Sequence, residues 1–341
     1  MATYDIAKEA TLPEILRTKA PDGSYMGAID VLSAGMPLLE EGYWIQANDD
    51  TSHEFLRTTS EPNGAPVRYG EGGPWEMGTQ VPVKEQLMRL ETNLKIDTRI
   101  LKKAPDPVRY RRDKEAQTVR GLVKTFHNIA FSKTMLLQGV STQMGNAKVD
   151  PKQVDGLGVR YGALAANSVV SLGGSGATLS SLWIVKNGPE GLFYLYPKSE
   201  GRAFSEEDNG EIPTYDANGN PFKVLWTNWS WEFGFGIGDP RNVKRLCNIS
   251  TSGAGSFFDD TDKEKGEKAL IDLIEALPGG DTTGVTIYAG GPMIAQMRKR
   301  LNSKSNLYFN TQDVWGRKML TFMEVPIVRL DVLGADESTI S

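Results

Sequence analysis

The chain has 341 residues, of which 39% are hydrophobic and 24% charged, and its net charge is −5. These values are typical of a soluble protein with one large or two ordinary domains. They exclude a disordered chain and a surface that binds nucleic acid throughout. Cys247 is the only cysteine, and His53 and His127 are the only histidines. An intrachain disulfide is therefore excluded, and we expect no zinc site, no redox chemistry and no cofactor.

We also expect no membrane segment and no secretion signal. No apolar run approaches the ~20 residues of a membrane-spanning helix. The N-terminal residues MATYDIAKEATLPEIL lack the order of basic and then apolar residues that marks a signal peptide. We therefore expect a protein that stays in the cytoplasm in which it is made.

The first 80 residues predict an arm, a short helix and a projecting loop. Prolines and a glycine interrupt the short apolar groups of residues 1–26, which is typical of a poorly ordered terminus or of an arm that packs on a neighbouring molecule. Residues 28–35 predict a short helix. Residues 49–80 are dominated by Gly, Pro, Ser, Thr and charges without periodicity. Because so long a stretch is unusual inside a compact domain, we interpret it as a projecting functional loop.

Strict alternation over residues 87–101 predicts one long strand. Apolar residues and threonines occupy the even positions, and charged or polar residues occupy the odd ones, so one face should be buried. The segment that follows is strongly basic, which predicts either a solvated face or sequence-independent contact with phosphates. Its basic residues are Lys102, Lys103, Arg109, Arg111, Arg112 and Lys114.

The longest helical period in the chain covers residues 113–139 and predicts one amphipathic helix. Pro107 and Gly139 fit its two boundaries, since proline is excluded from helix interiors and glycine commonly follows a helix. About 25 residues would form a rod of roughly 37 Å. The apolar stripe consists of Val119, Leu122, Val123, Phe126, Ile129, Ala130 and Leu137.

A glycine-rich stretch, SLGGSG at residues 171–176, follows the helix. A loop of this kind can bind phosphate through its backbone, but the spacing matches neither the Walker A motif nor the dinucleotide motif. We therefore interpret it as a flexible surface loop in preference to a nucleotide site.

Four strands are predicted in the middle of the chain, at residues 182–186, 192–197, 224–239 and 243–250. The turn DANGN at residues 216–220 predicts a hairpin that leads into the third of them. That strand carries tryptophans and phenylalanines at alternate positions, which is typical of a sheet core or of an interface.

The last third of the chain changes to an α/β pattern. Thr261 and Glu264 form a capping box before a helix that ends near residues 278–280. Residues 285–288 predict a short buried strand, and Gly291 with Pro292 opens a second helix. A final strand is expected at residues 325–333, followed by a polar tail.

The order of these parts resembles the major capsid proteins of tailed bacteriophages, which have the Hong Kong 97 fold. The resemblance covers nearly the whole chain. The sequence of residues 38–72 is similar to that of coat proteins from short-tailed phages, and it resembles the epsilon-fifteen type in particular. The residues that carry this similarity are Leu38, Leu39, Trp44, Asn48, His53, Arg57, Pro62, Arg68 and Gly72.

The resemblance implies an α+β fold of the Hong Kong 97 type. Its parts would be an N-terminal arm with a short helix at 1–48, an extended β-hairpin loop at 49–101, a peripheral β-rich domain at 102–260 with the spine helix at 113–139, an axial α/β domain at 261–320, and a C-terminal strand and tail at 321–341.

The resemblance also implies a major capsid protein, without enzymatic activity, that assembles through pentamers and hexamers into an icosahedral shell around double-stranded DNA. Its partners would be copies of itself, a portal, scaffolding or decoration proteins, and packaged DNA that the six basic residues contact on the inner face. The protein would be part of the virion and would assemble in the host cytoplasm. The candidate inter-subunit contacts are Arg57, Arg68, Trp75, Met88 and Leu90.

Two alternatives remain open at this stage. An encapsulin-like nanocompartment shell shares the fold and would hold an enzyme instead of DNA. A carbohydrate-binding or glycoside-hydrolysing β-rich protein is suggested by Trp226, Trp229 and Trp231, with Glu206, Glu207 and Asp208 in the loop before their strand. Glycoside hydrolysis needs two carboxylates at a defined separation, and the sequence offers no convincing pair.

Overall fold

A computed structural model describes most of the chain from residue 37 onward. The described residues are 37–131, 135–137, 140–142, 154–165, 167–176, 178–199, 204–216, 218–251, 253, 255–258, 264–301, 309–314 and 317–341. The predicted N-terminal arm, the predicted helix at 28–35 and the capping residue Thr261 lie outside these residues.

Six helices and fifteen strands are described. The helices are α1 Pro37–Glu41, α2 Thr98–Lys103, α3 Pro107–Phe131, α4 Leu157–Arg160, α5 Lys265–Glu275 and α6 Gly291–Leu301. The strands are β1 Trp44–Gln46, β2 Ser52–Ser60, β3 Thr79–Asp97, β4 Met135–Leu137, β5 Val140–Thr142, β6 Val169–Ser171, β7 Leu179–Lys186, β8 Leu192–Tyr196, β9 Phe204–Tyr215, β10 Pro221–Ile237, β11 Val243–Ser250, β12 Val285–Ala289, β13 Phe309–Val314, β14 Arg317–Phe322 and β15 Val325–Arg329.

The first sheet is built on the antiparallel pair of β3 and β10. Its strand order is β1-β8-β10-β3-β2, and β9 also pairs with β10. Leu87 lies opposite Gly234 at one end of the long pair, and Asp97 lies opposite Val224 at the other. Alternate residues of β10 point into the core, so Trp229 and Phe233 are fully buried, as expected for a strand with one apolar face.

The second sheet has seven strands in the order β13-β14-β15-β12-β7-β11-β6. Strand β7, which lies between β12 and β11, is buried along almost its whole length. One face of the sheet packs against α5 and α6 through residues such as Leu270 and Met297. Trp183 and Tyr288 belong to the opposite face and join the core beneath α3. Because both faces are covered, the strand reads as a continuous apolar run rather than as an alternation.

Helix α3 packs against both sheets. Asp106 accepts a hydrogen bond of 3.0 Å from the backbone N–H of Arg109 and so caps the first turn, with Pro107 at the first helical position. The Phe126 ring centroid lies 4.7 Å from that of Trp231 in the first sheet. The Phe131 ring centroid lies 5.5 Å from that of Trp183 in the second. Two aromatic residues of one helix therefore connect the sheets.

The structure corrects several predicted boundaries. The long helix covers Pro107–Phe131 and not 113–139, because its cap is Asp106 and because β4 begins at Met135. The long strand ends at Asp97 instead of residue 101, since the Asp97 carboxylate accepts a hydrogen bond of 2.8 Å from the backbone N–H of Arg99 and starts α2. The last strand ends at Arg329 instead of residue 333.

Several of the described strands were not predicted from the residue pattern. Ser52–Ser60 is a strand within the predicted loop, and residues 204–215, also interpreted as a loop, form β9. Both carry charged or polar residues at most positions, so their alternation has no apolar signal. The hairpin of β13 and β14 was missed as well. The predicted strands at 182–186, 192–197, 224–239 and 243–250 are confirmed within three residues at each end.

Among the helices of the described residues, none combines the length and the apolar character needed to cross a bilayer. Likewise, no group of three or more His, Cys, Asp or Glu residues in the described part of the chain is arranged to hold a metal ion.

Candidate assembly surfaces

A two-stranded ribbon projects from the first sheet. Only the C-terminal part of β3, from Leu87 onward, pairs with β10. Its N-terminal part, Thr79–Gln86, pairs with β2 alone. The ribbon therefore continues a core strand beyond the sheet, and the segment at residues 61–78 connects its two strands.

Two arginines fix the base of the ribbon. Arg57 on β2 donates hydrogen bonds of 2.7 Å to the carbonyl of Gly238 and of 2.6 Å to that of Ile237. Arg160 on α4 donates two hydrogen bonds, of 2.7 and 2.6 Å, to the two carboxylate oxygens of Glu85 on β3. Glu85 is 7% exposed. A bidentate pair of this kind fixes direction as well as distance, so the ribbon leaves the sheet at a set angle.

The tip of the ribbon, residues 61–78, is exposed at every position. Three of its large apolar side chains are almost as accessible as in an extended chain: Tyr69 is 110% exposed, Trp75 103% and Met77 92%. The hydrogen bonds of the tip are local, for example from the backbone N–H of Arg68 to the Glu71 carboxylate. A concentration of exposed aromatic surface on a projecting segment is typical of an interaction site.

The five predicted contact residues fall into three groups. Arg68 and Trp75 lie on the exposed tip. Arg57 is engaged with carbonyls of its own chain. Met88 and Leu90 are partly buried and pack against the main core of their own chain. Sequence reasoning did not select Tyr69 and Met77, although two large apolar residues in an otherwise polar, glycine-rich stretch are a signal that would have identified them.

The predicted basic residues lie along α2 and the first half of α3. Lys102, Lys103 and Arg112 are exposed. Arg111 instead pairs within the chain: it donates hydrogen bonds of 2.6 Å to Glu115 and of 2.6 Å to Asp208 on β9.

Electrostatics at this pair follow from its geometry. The hydrogen bond from Arg111 holds the pKa of the Asp208 carboxyl below its usual value. Lys114 lies with its ammonium 5.8 Å from the Tyr110 ring centroid. The lysines of α2 are therefore the main charged groups of this basic surface, because the charge of Arg111 is neutralised by two carboxylates.

The tryptophans that suggested sugar binding do not line a cleft. Trp229 is fully buried and Trp231 is 4% exposed, and both belong to the core beneath α3. Trp226 is partly exposed and donates a hydrogen bond of 2.8 Å from its indole N–H to Asn93. The aromatic face of β10 is a sheet core, and the sugar-binding interpretation is wrong.

A subunit with its own cores and a projecting ribbon, whose aromatic tip is buried by nothing in the described chain, has the features of a structural protein that contacts another molecule. Residues 20–341 match the family described as Major capsid protein GP7, and the chain belongs to this family. The predicted resemblance to bacteriophage major capsid proteins is confirmed. No curated protein matches the sequence.

Solved structures show the same relationship at the level of the fold. A chain of the near-atomic structure of bacteriophage Epsilon15 matches with a TM-score of 0.65 at 18% identity, over 97% of this chain and 97% of that chain. The bacteriophage JBD30 capsid matches with a TM-score of 0.48 at 10% identity, over 94% and 99%. The virus-like particle from Pyrococcus furiosus matches with a TM-score of 0.35 at 13% identity, over 64% and 95%. Because only the first score exceeds 0.5, the shared α+β fold rests on the Epsilon15 match.

Proposed function

We propose that this major capsid protein has the Hong Kong 97 fold and assembles through pentamers and hexamers into an icosahedral shell around the double-stranded DNA of a tailed phage. The observation that carries the proposal is the tip of the ribbon, where Tyr69, Trp75 and Met77 are exposed to at least 92%. A tip that binds a different surface on the next copy forms a heterologous contact, and such contacts can close into rings and shells.

Burial of the tip would contribute to assembly without sufficing for it alone. Burying an aromatic side chain such as Trp75 removes ~150–250 Å² from water, which corresponds to about 4–6 kcal/mol before the cost of association. Each subunit would donate one tip and receive another. The contacts of a closed shell therefore add up to a large stabilisation even if each one is weak.

In this assembly residues 49–101 would act as the extended loop and residues 1–48 as an arm that packs on neighbours. Residues 102–260 would form the peripheral domain, residues 261–320 the axial domain, and residues 321–341 would return to the peripheral domain. A portal and scaffolding or decoration proteins would complete the particle, which would assemble in the host cytoplasm.

The exposed lysines of α2 would face the packaged DNA. Lys102 and Lys103 are the best candidates, since Arg111 is already paired with Glu115 and Asp208. Reversing both lysines to glutamate should lower the packaged genome length and change its salt dependence, because fewer phosphates are neutralised. Lys124→Glu, on an exposed position of α3, is the matched control. Unchanged packaging in the double variant would show that this segment does not contact the DNA.

Size-exclusion chromatography of the purified chain, followed by negative-stain electron microscopy of the earliest fraction, tests the proposal. Closed shells tens of nanometres across are the expected result. Extraction of the contents then separates the two kinds of shell, because DNA supports the phage assignment and a protein cargo supports a nanocompartment. A chain that stays monomeric with and without co-expressed partner proteins would contradict assembly.

A further inference from the structure

The C-terminal tail, residues 334–341, is held in a groove of the second sheet. Leu179 at the start of β7 and Glu337 exchange both backbone hydrogen bonds, at 3.0 and 2.9 Å, as in an antiparallel ladder. The backbone N–H of Thr339 donates to the carbonyl of Gly176 at 3.1 Å. Ile340 is 3% exposed, whereas the terminal Ser341 is exposed. The predicted polar tail is therefore a bound peptide segment.

Asn248 recognises the backbone of the tail. Its side-chain oxygen accepts a hydrogen bond of 2.8 Å from the N–H of Ile340, and its side-chain N–H donates one of 2.8 Å to the carbonyl of the same residue. Asn248 also adopts a φ of 55°, a left-handed conformation that is uncommon for residues with a side chain and concentrates at ligand-holding sites.

Arg245 and Ser181 recognise the Glu337 side chain. Arg245 is 2% exposed and donates a hydrogen bond of 3.2 Å to the Glu337 carboxylate. The Ser181 hydroxyl donates to the same carboxylate oxygen. A buried guanidinium requires a carboxylate partner, so this position of the groove is selective for an acidic residue.

The walls of the groove are held by contacts that do not involve the tail. Arg245 donates a hydrogen bond of 2.8 Å to the carbonyl of Tyr161, and its guanidinium carbon lies 4.7 Å from the Trp183 ring centroid. The N–H of Gly174 donates to the carbonyl of Asn248 at 2.9 Å. A Cβ on Gly174 would lie 2.5 Å from that carbonyl oxygen, so only glycine allows this approach. The glycine-rich stretch at 171–176 thus forms a wall of the groove.

We propose that the glycine-rich stretch, Asn248 and Arg245 form a peptide receptor for the C-terminal tail. The receptor keeps the tail bound after the backbone that joins the tail to the rest of the chain is cut. The ligand is an extended peptide with a glutamate and, three residues later, an aliphatic side chain. Because the walls are organised independently of the tail, binding needs little rearrangement. The same receptor can then hold the tail of a second copy of this chain.

The test uses the full chain with a protease recognition sequence inserted between Gly334 and Ala335. After cleavage of the folded protein, the tail should co-elute with the body on gel filtration. A fluorescent ADESTIS peptide should then exchange into the cleaved protein and not into the uncleaved control, whose groove is filled. The peptide with Glu337→Gln should bind about tenfold more weakly, while Ser341→Ala should bind equally well. Immediate release of the tail, or unfolding of the body on cleavage, would overturn the proposal.

A second measurement needs no insertion. In the uncut chain, Asn248→Ala should raise the hydrogen-exchange rate of the Ile340 amide about tenfold, because its acceptor is lost. The amides of β12, which pairs with β15 and β7, serve as the internal reference. Equal exchange of the Ile340 amide in the two proteins would show that Asn248 does not hold the tail and would overturn its role as a receptor residue.

Discussion

The ribbon tip and the C-terminal tail are both extended segments outside the two cores, yet their exposure is opposite. Trp75 in the tip is 103% exposed, whereas Ile340 in the tail is 3% exposed. Within the described chain the tip forms local hydrogen bonds, such as that from the Asn63 N–H to Glu76, while the tail pairs with β7 and β11 far away in the sequence. One segment is therefore covered by its own chain, whereas the other is left exposed by the described part of the chain.

Removing a ring from the core beneath α3 should have the largest effect on the stability of the subunit. Phe126→Ala deletes a buried ring that packs against Trp231, Phe233 and Phe235, and we expect a loss of about 3–5 kcal/mol in the free energy of unfolding. Urea unfolding of the unassembled subunit measures this loss. The control Val108→Ala, on an exposed position of α3, should stay within about 0.5 kcal/mol. Similar losses in both variants would contradict the role of the Phe126 ring.

Breaking the tail's buried ion pair should have the next largest effect. Glu337→Gln removes the carboxylate that pairs with the buried Arg245, and we expect a loss of about 1.5 kcal/mol in the free energy of unfolding. The exposed neighbour Ser338→Ala should be neutral. Thermal unfolding followed by circular dichroism compares the two variants. If the Glu337→Gln variant unfolds at the same temperature as the wild type, this ion pair does not contribute to the stability of the subunit.

Breaking the partly exposed ion pair between α3 and β9 should have an intermediate effect on stability. Asp208→Asn removes the carboxylate bound by Arg111, and we expect a loss of about 0.5–1 kcal/mol at neutral pH. Folding lowers the pKa of Asp208, so its contribution is present above the unfolded value of about 4 and is lost as the pH falls through the lower folded value. The variant should therefore lose less stability than the wild type over that acid range.

Urea unfolding at a series of pH values measures this difference. Glu207→Gln, also exposed on β9, is the matched control and should keep the pH dependence of the wild type. An Asp208→Asn variant with an unchanged pH profile would show that the Arg111 pair contributes nothing to stability.

The smallest effect on folding and the largest on assembly are expected at the tip. Trp75→Ser should change the free energy of unfolding by less than about 0.5 kcal/mol, because the side chain is fully exposed, and it should abolish particles in electron micrographs. Deleting residues 63–73 should likewise leave a folded subunit that does not assemble. Ala65→Ser, on the same exposed tip, should assemble normally. Normal particles from the Trp75 variant or the deletion would refute the tip as an assembly contact.

Much of the core could be predicted because its sequence periods are strong. The alternation in β3 and β10 and the helical stripe of α3 each place apolar residues on one face, and burial follows that placement. The boundaries were less accurate, since they depend on single capping residues such as Asp97 and Asp106.

The remainder depends on contacts between residues distant in the sequence. Strand β9 carries mainly charged or polar residues, and it forms a strand because it pairs with β10. The tail is bound by Asn248, which lies 92 positions away from Ile340, so no local pattern indicates it. For the candidate contacts, sequence reasoning selected Trp75 on the exposed tip but could not show that Arg57 is occupied by carbonyls of its own chain.

Strand β3 belongs to both the core and the ribbon without a break. Its 19 residues would extend over roughly 60 Å, and its C-terminal part is part of the sheet that packs beneath α3. A force applied at the tip would therefore be transmitted along one continuous backbone into the core. The Arg160–Glu85 pair lies near the point where the ribbon leaves the sheet. A contact between the tip and a neighbouring subunit would therefore transmit strain along β3 into the core of this subunit.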